Sequence, residues 1–462
     1  MHLLCMCLMR RNRMGKAKGP FAKTGAALAG GDWKTKLSCL ILGFGQLMRG
    51  QFVKGIAYLV TEIAFIWYMI SFGARYLSKF GTLGTVATQK KNRITVYGDN
   101  SFLILLFSIL TLILIALFIV IWYLNLQDNY KQQEILKAGG TLPTNRKVLA
   151  SLLDENFDKT LLAVPLAGIF LFTVLPILFM ICIAFTNYDK THQPPTNLFT
   201  WVGLENFRNL FSFGSSGIGR TFFSVLGWTL VWAFFATFID YFLGLLVALL
   251  INKKGIKLKK LWRTILVITI AVPQFVSLLY IYKMFANDGI VNAYLLKWGL
   301  IANPIQFWVD PMLARITIIV VNIWIGIPYM MLIATGLLMN IPESLYESAR
   351  IDGASPFQMF KSITLPYILF VTGPFLLTQF IGNLNNFNVI YLLTKGQPLS
   401  LHMAENAGKT DLLVTWLYKM TVTDTNYKMA AVIGIMVFAV TAITSLIAYN
   451  ALPSVKDEGG FQ

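Results

Sequence analysis

The sequence predicts an all-α polytopic membrane protein with about eight transmembrane helices, and two observations support that fold class. The first is composition: of 462 residues, 56% are hydrophobic and 13% are charged, and mean hydropathy is +0.63, which is too apolar for a soluble globular chain. The second is segment length, because crossing a hydrocarbon core of about 30 Å takes roughly 20 helical residues. Eight apolar stretches have about this length: 55–72, 102–124, 161–186, 221–251, 264–285, 316–339, 367–394 and 430–450.

The segments before and between these spans divide the chain into parts. The apolar piece Leu37–Met48 is too short to cross a membrane and predicts an interfacial or re-entrant helix. Gly139, Gly140 and Pro143 break helices in a polar stretch that separates two N-terminal spans from six others. The predicted parts are a cytoplasmic basic N-terminus with an interfacial helix at 1–54, two N-terminal transmembrane helices at 55–124, a cytoplasmic linker at 125–160, a six-helix core at 161–450 and a cytoplasmic tail at 451–462.

The first residues allow two starts. Met1–Met9 is apolar but precedes its arginines, which is the wrong order for a secretory signal peptide. Met14 is therefore an alternative start to Met1.

The formal charge of +18 is distributed as membrane topology requires. Basic residues gather at the ends of apolar segments, and no basic stripe is interleaved with aromatic residues, so nucleic acid is not a predicted partner. The bias of the short loops predicts that both termini are cytoplasmic in a multi-pass protein of the cell membrane. The basic residues that set this orientation are Arg10, Arg11, Arg13, Lys16, Lys18, Lys23, Lys34 and Lys36 before the first span, and Lys253, Lys254, Lys257, Lys259, Lys260 and Arg263 between the fourth and fifth.

Cysteine and histidine usage predicts neither a metal site nor a disulfide framework. The four cysteines include no Cys-x-x-Cys pair, and the three histidines lie far apart in the sequence.

A polar loop between the sixth and seventh spans, which we call the coupling segment (342–366), carries the most informative pattern. It predicts a short amphipathic helix that begins after Pro342, a turn at Gly353, and a second helix that stops before Pro366. The apolar stripe on the first helix fits docking into a groove of a partner, and it equally fits packing on the protein's own bundle. Its members are Leu345, Tyr346, Ala349 and Ile351.

A second polar pattern lies inside the seventh span. Gln379, Gly382, Asn383 and Asn386 follow the spacing i, i+3, i+4, i+7 and are predicted to share one helix face. Lipid cannot satisfy amides, so this face must point into the bundle or into a wet cavity. Uncharged amides suit the hydroxyl groups of a sugar. The alternative is interhelical hydrogen bonding, worth about 0.6 kcal/mol per contact.

Two acidic residues, Glu62 and Asp240, lie at membrane depth. A charge at mid-bilayer costs roughly 2.5–3.5 kcal/mol on insertion scales, so both are functional candidates by default. Glu62 fits an anchor at a span boundary, whereas the sequence assigns no role to Asp240.

The residues from Glu347 to Ala354, ESARIDGA, followed by Phe360 and by ITLP at 363–366, resemble the signature "EAA" loop of ABC importer permeases, with Ser348 where alanine is commonest. The resemblance implies a type I ABC importer permease fold in which this loop sits in a cleft of a separate ATPase subunit. ATP would then be bound and hydrolysed in that partner, so that this chain needs no cofactor and is not itself an enzyme. The implied coupling residues are Glu343, Tyr346, Glu347, Ala349, Asp352, Gly353, Ala354 and Phe360.

Two further strings, WIGIPY at 324–329 and NLNNF at 383–387, resemble the sixth and seventh spans of maltose/maltodextrin permeases. The resemblance implies sugar contacts at Gly326, Tyr329, Asn383 and Asn386. It is weaker at Gln379 and Gly382, where those permeases have a serine and a phenylalanine. The short loop 187–220 leaves no room for the large extracellular domain of the Gram-negative permeases, and so resembles the Gram-positive version.

The sequence therefore predicts a permease subunit that translocates maltose/maltodextrin-type oligosaccharides by alternating access. Its expected partners are a second homologous permease subunit, two ATPase subunits, an extracellular solute-binding protein, the oligosaccharide and membrane lipid. One alternative is an ABC permease for another oligosaccharide. A different class is an ion-coupled secondary transporter in which Glu62 and Asp240 relay ions. A membrane enzyme acting on glycans would need paired carboxylates outside the membrane, and no such signature is recognised.

Overall fold

The computed structural model describes residues 20–91, 94–212, 217–253 and 255–451. The predictions for the basic residues up to 19, for the choice between Met1 and Met14, and for the tail after residue 451 fall outside the described residues. Contacts divide the chain into an N-terminal unit (1–182 with 192–201) and a C-terminal unit (183–191 with 202–462).

The regular secondary structure of the described residues consists of helices and one small hairpin. The helices of the first part are α1 (Pro20–Gly30), α2 (Trp33–Leu37), α3 (Phe44–Leu47), α4 (Phe52–Tyr68), α5 (Ala74–Leu77), α6 (Ser101–Lys137), α7 (Asn145–Ser151), α8 (Phe157–Ile169) and α9 (Leu175–Ile183). Those that follow are α10 (Glu205–Phe211), α11 (Ile218–Phe234), α12 (Asp240–Asn252), α13 (Lys259–Ala271), α14 (Gln274–Met284), α15 (Ile290–Lys297), α16 (Pro311–Leu338), α17 (Glu343–Ile351), α18 (Pro356–Met359), α19 (Leu365–Leu384), α20 (Phe387–Leu393), α21 (Leu413–Val422) and α22 (Tyr427–Ala451). Strands β1 (Gln89–Lys91) and β2 (Ile94–Val96) pair antiparallel.

The prediction of about eight membrane-spanning helices is confirmed. Among the described residues, seven helices are long and apolar enough to cross a membrane, and a broken pair forms the eighth. That pair, α13 and α14, is an eighth span if its two helices cross the membrane together. It corresponds to the predicted continuous span 264–285, and here the prediction of one continuous helix is wrong because the two helices meet at 90°. Pro273 lies at the break. It has no backbone N–H to donate, and its ring would clash with the preceding turn of a continuous helix.

Several spans contain a π-helical turn, which widens the helix by one residue. These turns are Met69–Gly73, Phe170–Val174, Phe235–Ile239 and Phe360–Thr364. The last of them precedes Pro366, and the prediction that the second helix of the coupling segment stops there is wrong. The chain passes from α18 through the π turn into α19, since the wider turn leaves space for the proline ring and for its missing N–H.

In the N-terminal unit, the prediction of one helix over Leu37–Met48 is wrong: the segment begins at the last residue of α2, continues through turns at 38–43 and contains the single short helix α3. Buried side chains of α6 hold these turns by hydrogen bonds, with Asn125 Oδ1 accepting from the Gly43 amide at 3.1 Å. Glu62, which the sequence left as an anchor, accepts a hydrogen bond from the Leu42 amide at 2.8 Å. Its carboxylate therefore satisfies a backbone donor of this segment.

In the C-terminal unit, the fourth span packs against the sixth. Two cores line this packing. One gathers around Trp228 and Trp232 of α11, and the other extends along α12 from Tyr241 to Ile251. Ile341 and Ile368, which flank the coupling segment, belong to the second core. The coupling segment is thus attached to the same packed layer that positions the interior of the fourth and sixth spans.

Candidate functional site

The fourth and sixth spans cross at very short range. A Cβ atom added at Gly244 of α12 would overlap the Cβ of Met330 on α16. One turn away, a Cβ added at Gly326 of α16 would overlap the carboxyl group of Asp240. A side chain at Gly244 would collide with the neighbouring helix itself, whereas a side chain at Gly326 would collide with the Asp240 carboxyl.

Asp240, for which the sequence offered no role, lies at the centre of this crossing. The residue is 4% exposed, and its Oδ2 accepts a hydrogen bond from Asn322 Nδ2 at 3.0 Å. Its other oxygen, Oδ1, is buried and has no hydrogen-bond partner among the described residues. Asn322 lies one turn before Gly326 on α16, so that three polar or small positions meet at one level of the crossing.

The π turn Phe235–Ile239 connects the same level to the seventh span. Thr237 Oγ1 accepts a hydrogen bond from Asn383 Nδ2 at 3.0 Å. Asn386 Nδ2 donates to Asn383 Oδ1 at 3.3 Å, and Trp232 Nε1 donates to the Asn383 carbonyl at 3.1 Å. The interhelical hydrogen bonding that the sequence left as an alternative therefore exists at Asn383. Thr237 in the π turn and Asp240 directly after it thus contact polar groups of the seventh and sixth spans, respectively.

The predicted shared face of the seventh span is only partly correct. Helix α19 ends at Leu384, and Asn386 is the N-cap of α20, where its Oδ1 accepts from the Val389 amide at 3.2 Å. The spacing i, i+7 therefore does not carry Asn386 along the face of Gln379, because the helix breaks between them. Two amides in succession, at 385 and 386, favour such a break since they compete for backbone hydrogen bonds.

The other predicted sugar residues lie apart from this hydrogen-bonded group. Gln379 is half-buried and Gly382 is exposed. Tyr329 is 47% exposed, and its ring lies 6.5 Å from that of Phe375. The structure thus connects Gly326, Asn383 and Asn386 through contacts with the fourth span. Within the described residues, no hydrogen bond connects Gln379, Gly382 or Tyr329 to this group.

Sequence reasoning missed Thr237 and Asn322, although a signal for Asn322 was present. It lies four residues before Gly326 and is a buried amide inside an apolar span, which calls for an internal partner. Thr237 gave no signal, because a threonine in a membrane helix ordinarily bonds to its own backbone.

The turn in the coupling segment is built from two successive capping motifs. Gly353 has φ +77°, and the amides of Gly353 and Ala354 donate to the carbonyls of Arg350 and Ala349 at 3.1 and 2.9 Å. These two bonds are the Schellman motif that ends α17. Ser355 then caps α18 through a capping box with Gln358.

The two faces of α17 have different environments. Tyr346 and Ala349 are half-buried, and the Tyr346 hydroxyl lies 2.8 Å from Thr364 Oγ1. By contrast, Leu345 is 47% exposed and Ile351 is 86% exposed. The apolar stripe therefore divides, with one edge on the protein's own helices and the other uncovered in this chain.

The remaining predicted coupling residues follow the same division. Ala354 and Phe360 are half-buried, whereas the positions that bear charge or turn freedom are exposed. A cavity of about 650 Å³ lies behind the segment, between it and the ends of α12 and α16. The exposed predicted residues are Glu343, Glu347, Asp352 and Gly353.

A second cavity of about 650 Å³ lies between α11 and α16. Arg315 stacks on the ring of Trp228 in its wall, 4.6 Å from the ring centroid, and donates from Nε to the Lys409 carbonyl at 2.9 Å. Its lining is mainly apolar, and it includes none of the predicted sugar residues.

A helical multi-pass chain with polar groups buried at one level of its spans, and with a capped two-helix segment between the sixth and seventh, has the features of a transport subunit. The family described as binding-protein-dependent transport system inner membrane component matches residues 240–457. The galactooligosaccharides transport system permease protein GanP of Bacillus subtilis (strain 168) is 34% identical over 424 residues, which cover 91% of this chain and 98% of GanP. The maltodextrin transport system permease protein MdxF of the same organism is 34% identical over 425 residues, with 90% and 95% covered.

The chain therefore belongs to the binding-protein-dependent transport system inner membrane component family, and it is a permease subunit of an ABC importer. Solved structures agree on the fold. A bacterial ABC transporter involved in the import of the acidic polysaccharide alginate has a chain with a TM-score of 0.54 and 24% identity, covering 66% of this chain and 98% of that one.

Proposed function

We propose that this permease subunit translocates maltodextrin-type oligosaccharides across the cell membrane by alternating access. The observation that carries the proposal is the sequence similarity to the maltodextrin transport permease MdxF, which extends over nearly the whole length of both chains. The polar group inside the spans agrees with it, because threonine and asparagine side chains both donate to and accept from sugar hydroxyls.

The sugar contacts we propose are Gly326, Tyr329, Gln379, Gly382, Asn383 and Asn386. An anionic substrate would need fixed basic countercharges. No basic side chain among the described residues hydrogen-bonds to Thr237, Asp240, Asn322 or Asn383. The chemistry of this level of the membrane thus favours a neutral, hydroxyl-rich solute over an anionic one.

The coupling segment is the proposed docking site for a separate ATPase subunit. Leu345, Ile351 and Phe357 expose apolar side chains beside Glu347 and Asp352, a pattern that fits a groove lined with apolar and basic groups. Movement at this surface would reach the fourth and sixth spans through the core around Ile341 and Ile368. ATP is then bound and hydrolysed in the partner, and this chain makes or breaks no covalent bond.

The full assembly in this proposal contains a second homologous permease subunit, two ATPase subunits and an extracellular solute-binding protein, all surrounded by membrane lipid. Both termini are cytoplasmic, so the coupling segment faces the ATPases. Labelling of a single cysteine placed at Ser355 tests the orientation. Reaction with a membrane-impermeant reagent added outside the cell would contradict it.

The substrate is tested on the purified complex. ATP hydrolysis should rise when the binding protein is loaded with glucose oligomers of increasing length, and the length that gives the highest rate defines the solute. A second candidate is a galactooligosaccharide, favoured by the equal identity to GanP. Stimulation by galactose oligomers alone would replace the maltodextrin assignment.

The rival class, an ion-coupled transporter, is separated by its energy source. Uptake into proteoliposomes should require ATP on the side of the membrane that the coupling segment faces. It should persist when ionophores dissipate all ion gradients. Uptake that stops with the ionophore and continues without ATP would overturn the ABC mechanism.

The coupling role is tested at Gly353. A Cβ added there meets no atom of the described residues within 4 Å, so a bulky residue costs mainly the backbone strain of a left-handed conformation, about 1–3 kcal/mol. We expect Gly353→Val to stop uptake while the subunit remains inserted. Gly299, with φ +68° and equally open space, is the matched control, and Gly299→Val should retain uptake. Equal losses in both variants would assign the effect to strain.

A further inference from the structure

Burying the Asp240 carboxyl inside a span costs free energy, and no ion pair with a basic side chain of the described residues offsets that cost. Only 4% of the residue's surface is exposed, and the one hydrogen bond that the described residues give its side chain comes from a neutral amide. An acidic residue inside a span is retained where it faces a partner or serves a function.

The carboxyl group acts on two features of α16 at once. Through Oδ2 it fixes the amide of Asn322, and by filling the space over Gly326 it sets how closely α12 and α16 approach. Among the described residues, the Asn322 side chain has no other hydrogen bond, so its orientation depends on Asp240. With Nδ2 directed at the carboxyl, the amide oxygen points away from it.

The location of this pair relates it to the seventh span. Asp240 immediately follows the π turn that contains Thr237, and Thr237 holds Asn383. Asp240, which binds the sixth-span amide, therefore lies three positions after Thr237, which binds the seventh-span amide. A displacement of this stretch would act on both amides.

We propose that Asp240 is a positioning residue of the solute site, which orients the Asn322 amide and fixes the α12–α16 crossing at Gly326 so that the amide oxygen faces the solute. This inference rests on the proposed function, since it assumes that a hydroxyl-bearing solute passes this level. Asp240 itself does not contact the solute, because its carboxyl is enclosed by α16.

The experiment uses the complete transporter in proteoliposomes, with maltotriose as the probe, and measures sugar imported per ATP hydrolysed. A loss of folded complex lowers both rates and leaves their ratio unchanged, whereas a misdirected site wastes ATP. We expect Asp240→Leu to lower the ratio about tenfold, as for one lost polar contact. Asn322→Ala should lower it to a similar extent.

The double variant decides whether Asp240 acts through Asn322. Asp240→Leu combined with Asn322→Ala should be no worse than either single change, since both remove the same interaction. Asp240→Asn retains an oxygen that accepts from Asn322 Nδ2 and should stay within about twofold of the wild type.

Three outcomes would overturn the positioning role: an unchanged ratio in Asp240→Leu, additive losses in the double variant, or an Asp240→Asn variant as impaired as Asp240→Leu. Failure of the proposed function has a separate signature. In that case the wild-type complex itself would import no maltotriose or galactose oligomer, and the inference would fall with it.

Discussion

Arg49 in the N-terminal unit and Asp240 in the C-terminal unit are both nearly inaccessible charged residues, yet their surroundings differ. The Arg49 side chain is 2% exposed, and its guanidinium donates to Asp32 Oδ1 at 2.7 Å and Oδ2 at 2.9 Å. Thr35 Oγ1 and Asn129 Oδ1 accept its other bonds at 2.9 and 2.7 Å. Within the described part of the chain, Asp240 has a single amide donor, and its Oδ1 has no hydrogen-bond partner.

The difference indicates two kinds of buried ionisable side chain. Around Arg49, donors and acceptors are matched, which fixes one arrangement of α2, α3 and α6. Around Asp240 the matching is incomplete, and an incompletely satisfied polar group costs stability unless something else requires it. The N-terminal group is therefore expected to stabilise the fold, and the C-terminal group to serve transport at the expense of stability.

The largest expected effect is at Arg49. Arg49→Ala removes the guanidinium donor from Asn129 and from Asp32, which keeps only the Thr35 amide, and should destabilise the N-terminal unit by about 3–5 kcal/mol. Thermal unfolding of the purified subunit in detergent measures it. The control is Lys137→Ala, which removes an exposed ion pair with Glu134 at 3.5 Å and should cost less than about 0.5 kcal/mol. Equal shifts for the two variants would show that burial of Arg49 does not matter.

The next effect is at the helix crossing. Gly326→Ala forces a methyl group into the Asp240 carboxyl and should destabilise by about 1–3 kcal/mol. The same substitution in an Asp240→Ala background should cost almost nothing, because the obstructing group is gone. Gly336→Ala, on the same helix, places its methyl group where no side chain or other helix of the described residues comes within 4 Å, and should be neutral or stabilising by up to about 1 kcal/mol. Persistence of the Gly326 effect without the carboxyl would contradict the geometry.

Asp240 itself should show the reverse of Arg49. Replacing an under-satisfied carboxyl by leucine of similar size should leave the melting temperature unchanged or raise it, corresponding to about 0–1 kcal/mol, while transport falls. Unfolding curves and uptake on the same preparation test the pair of results. A melting temperature that drops as far as in Arg49→Ala would assign Asp240 to structure.

The smallest effect concerns Asp99, which precedes α6. A hydrogen bond from Lys79 Nζ at 2.5 Å, with a second from the Thr85 amide, holds the pKa of the Asp99 carboxyl below its ordinary value of 3.8. A depressed folded pKa gives stability that is present above pH 3.8 and is lost as the pH falls through the folded value. Asp99→Asn should flatten this acid limb of the melting temperature, and an unchanged limb would exclude Asp99 as its source.

Much of the architecture could be predicted from the sequence because it follows from apolar length and from turn residues. The eight spans and the turn at Gly353 are examples, since hydrocarbon thickness and left-handed backbone conformation leave few alternatives. The break at Pro273 was predictable in principle, but span length alone did not require it.

The site was less predictable, for a physical reason. Asn383 could be predicted because an amide is unusual in an apolar span. Its partner Thr237 could not be predicted, because threonine is common in membrane helices and usually bonds to its own backbone. The relation of Asp240 to Gly326 depends on how close two helices approach, which is decided by packing across 86 positions of sequence. The end of α19 at Leu384 was missed because the spacing of Asn386 fits a continuous helix equally well.

The π turn Phe235–Ile239 has a consequence for anyone who compares or redesigns this span. With about 3.6 residues per turn, each residue advances a helix by about 100°, and a π turn contains one residue more than an α turn. A helical wheel drawn over Ile218–Asn252 as one regular helix would therefore place Asp240 about 100° from its true direction. On such a wheel the Asp240 carboxyl would point away from Gly326. Asp240 would then be mistaken for an unfavourable acidic residue that faces lipid.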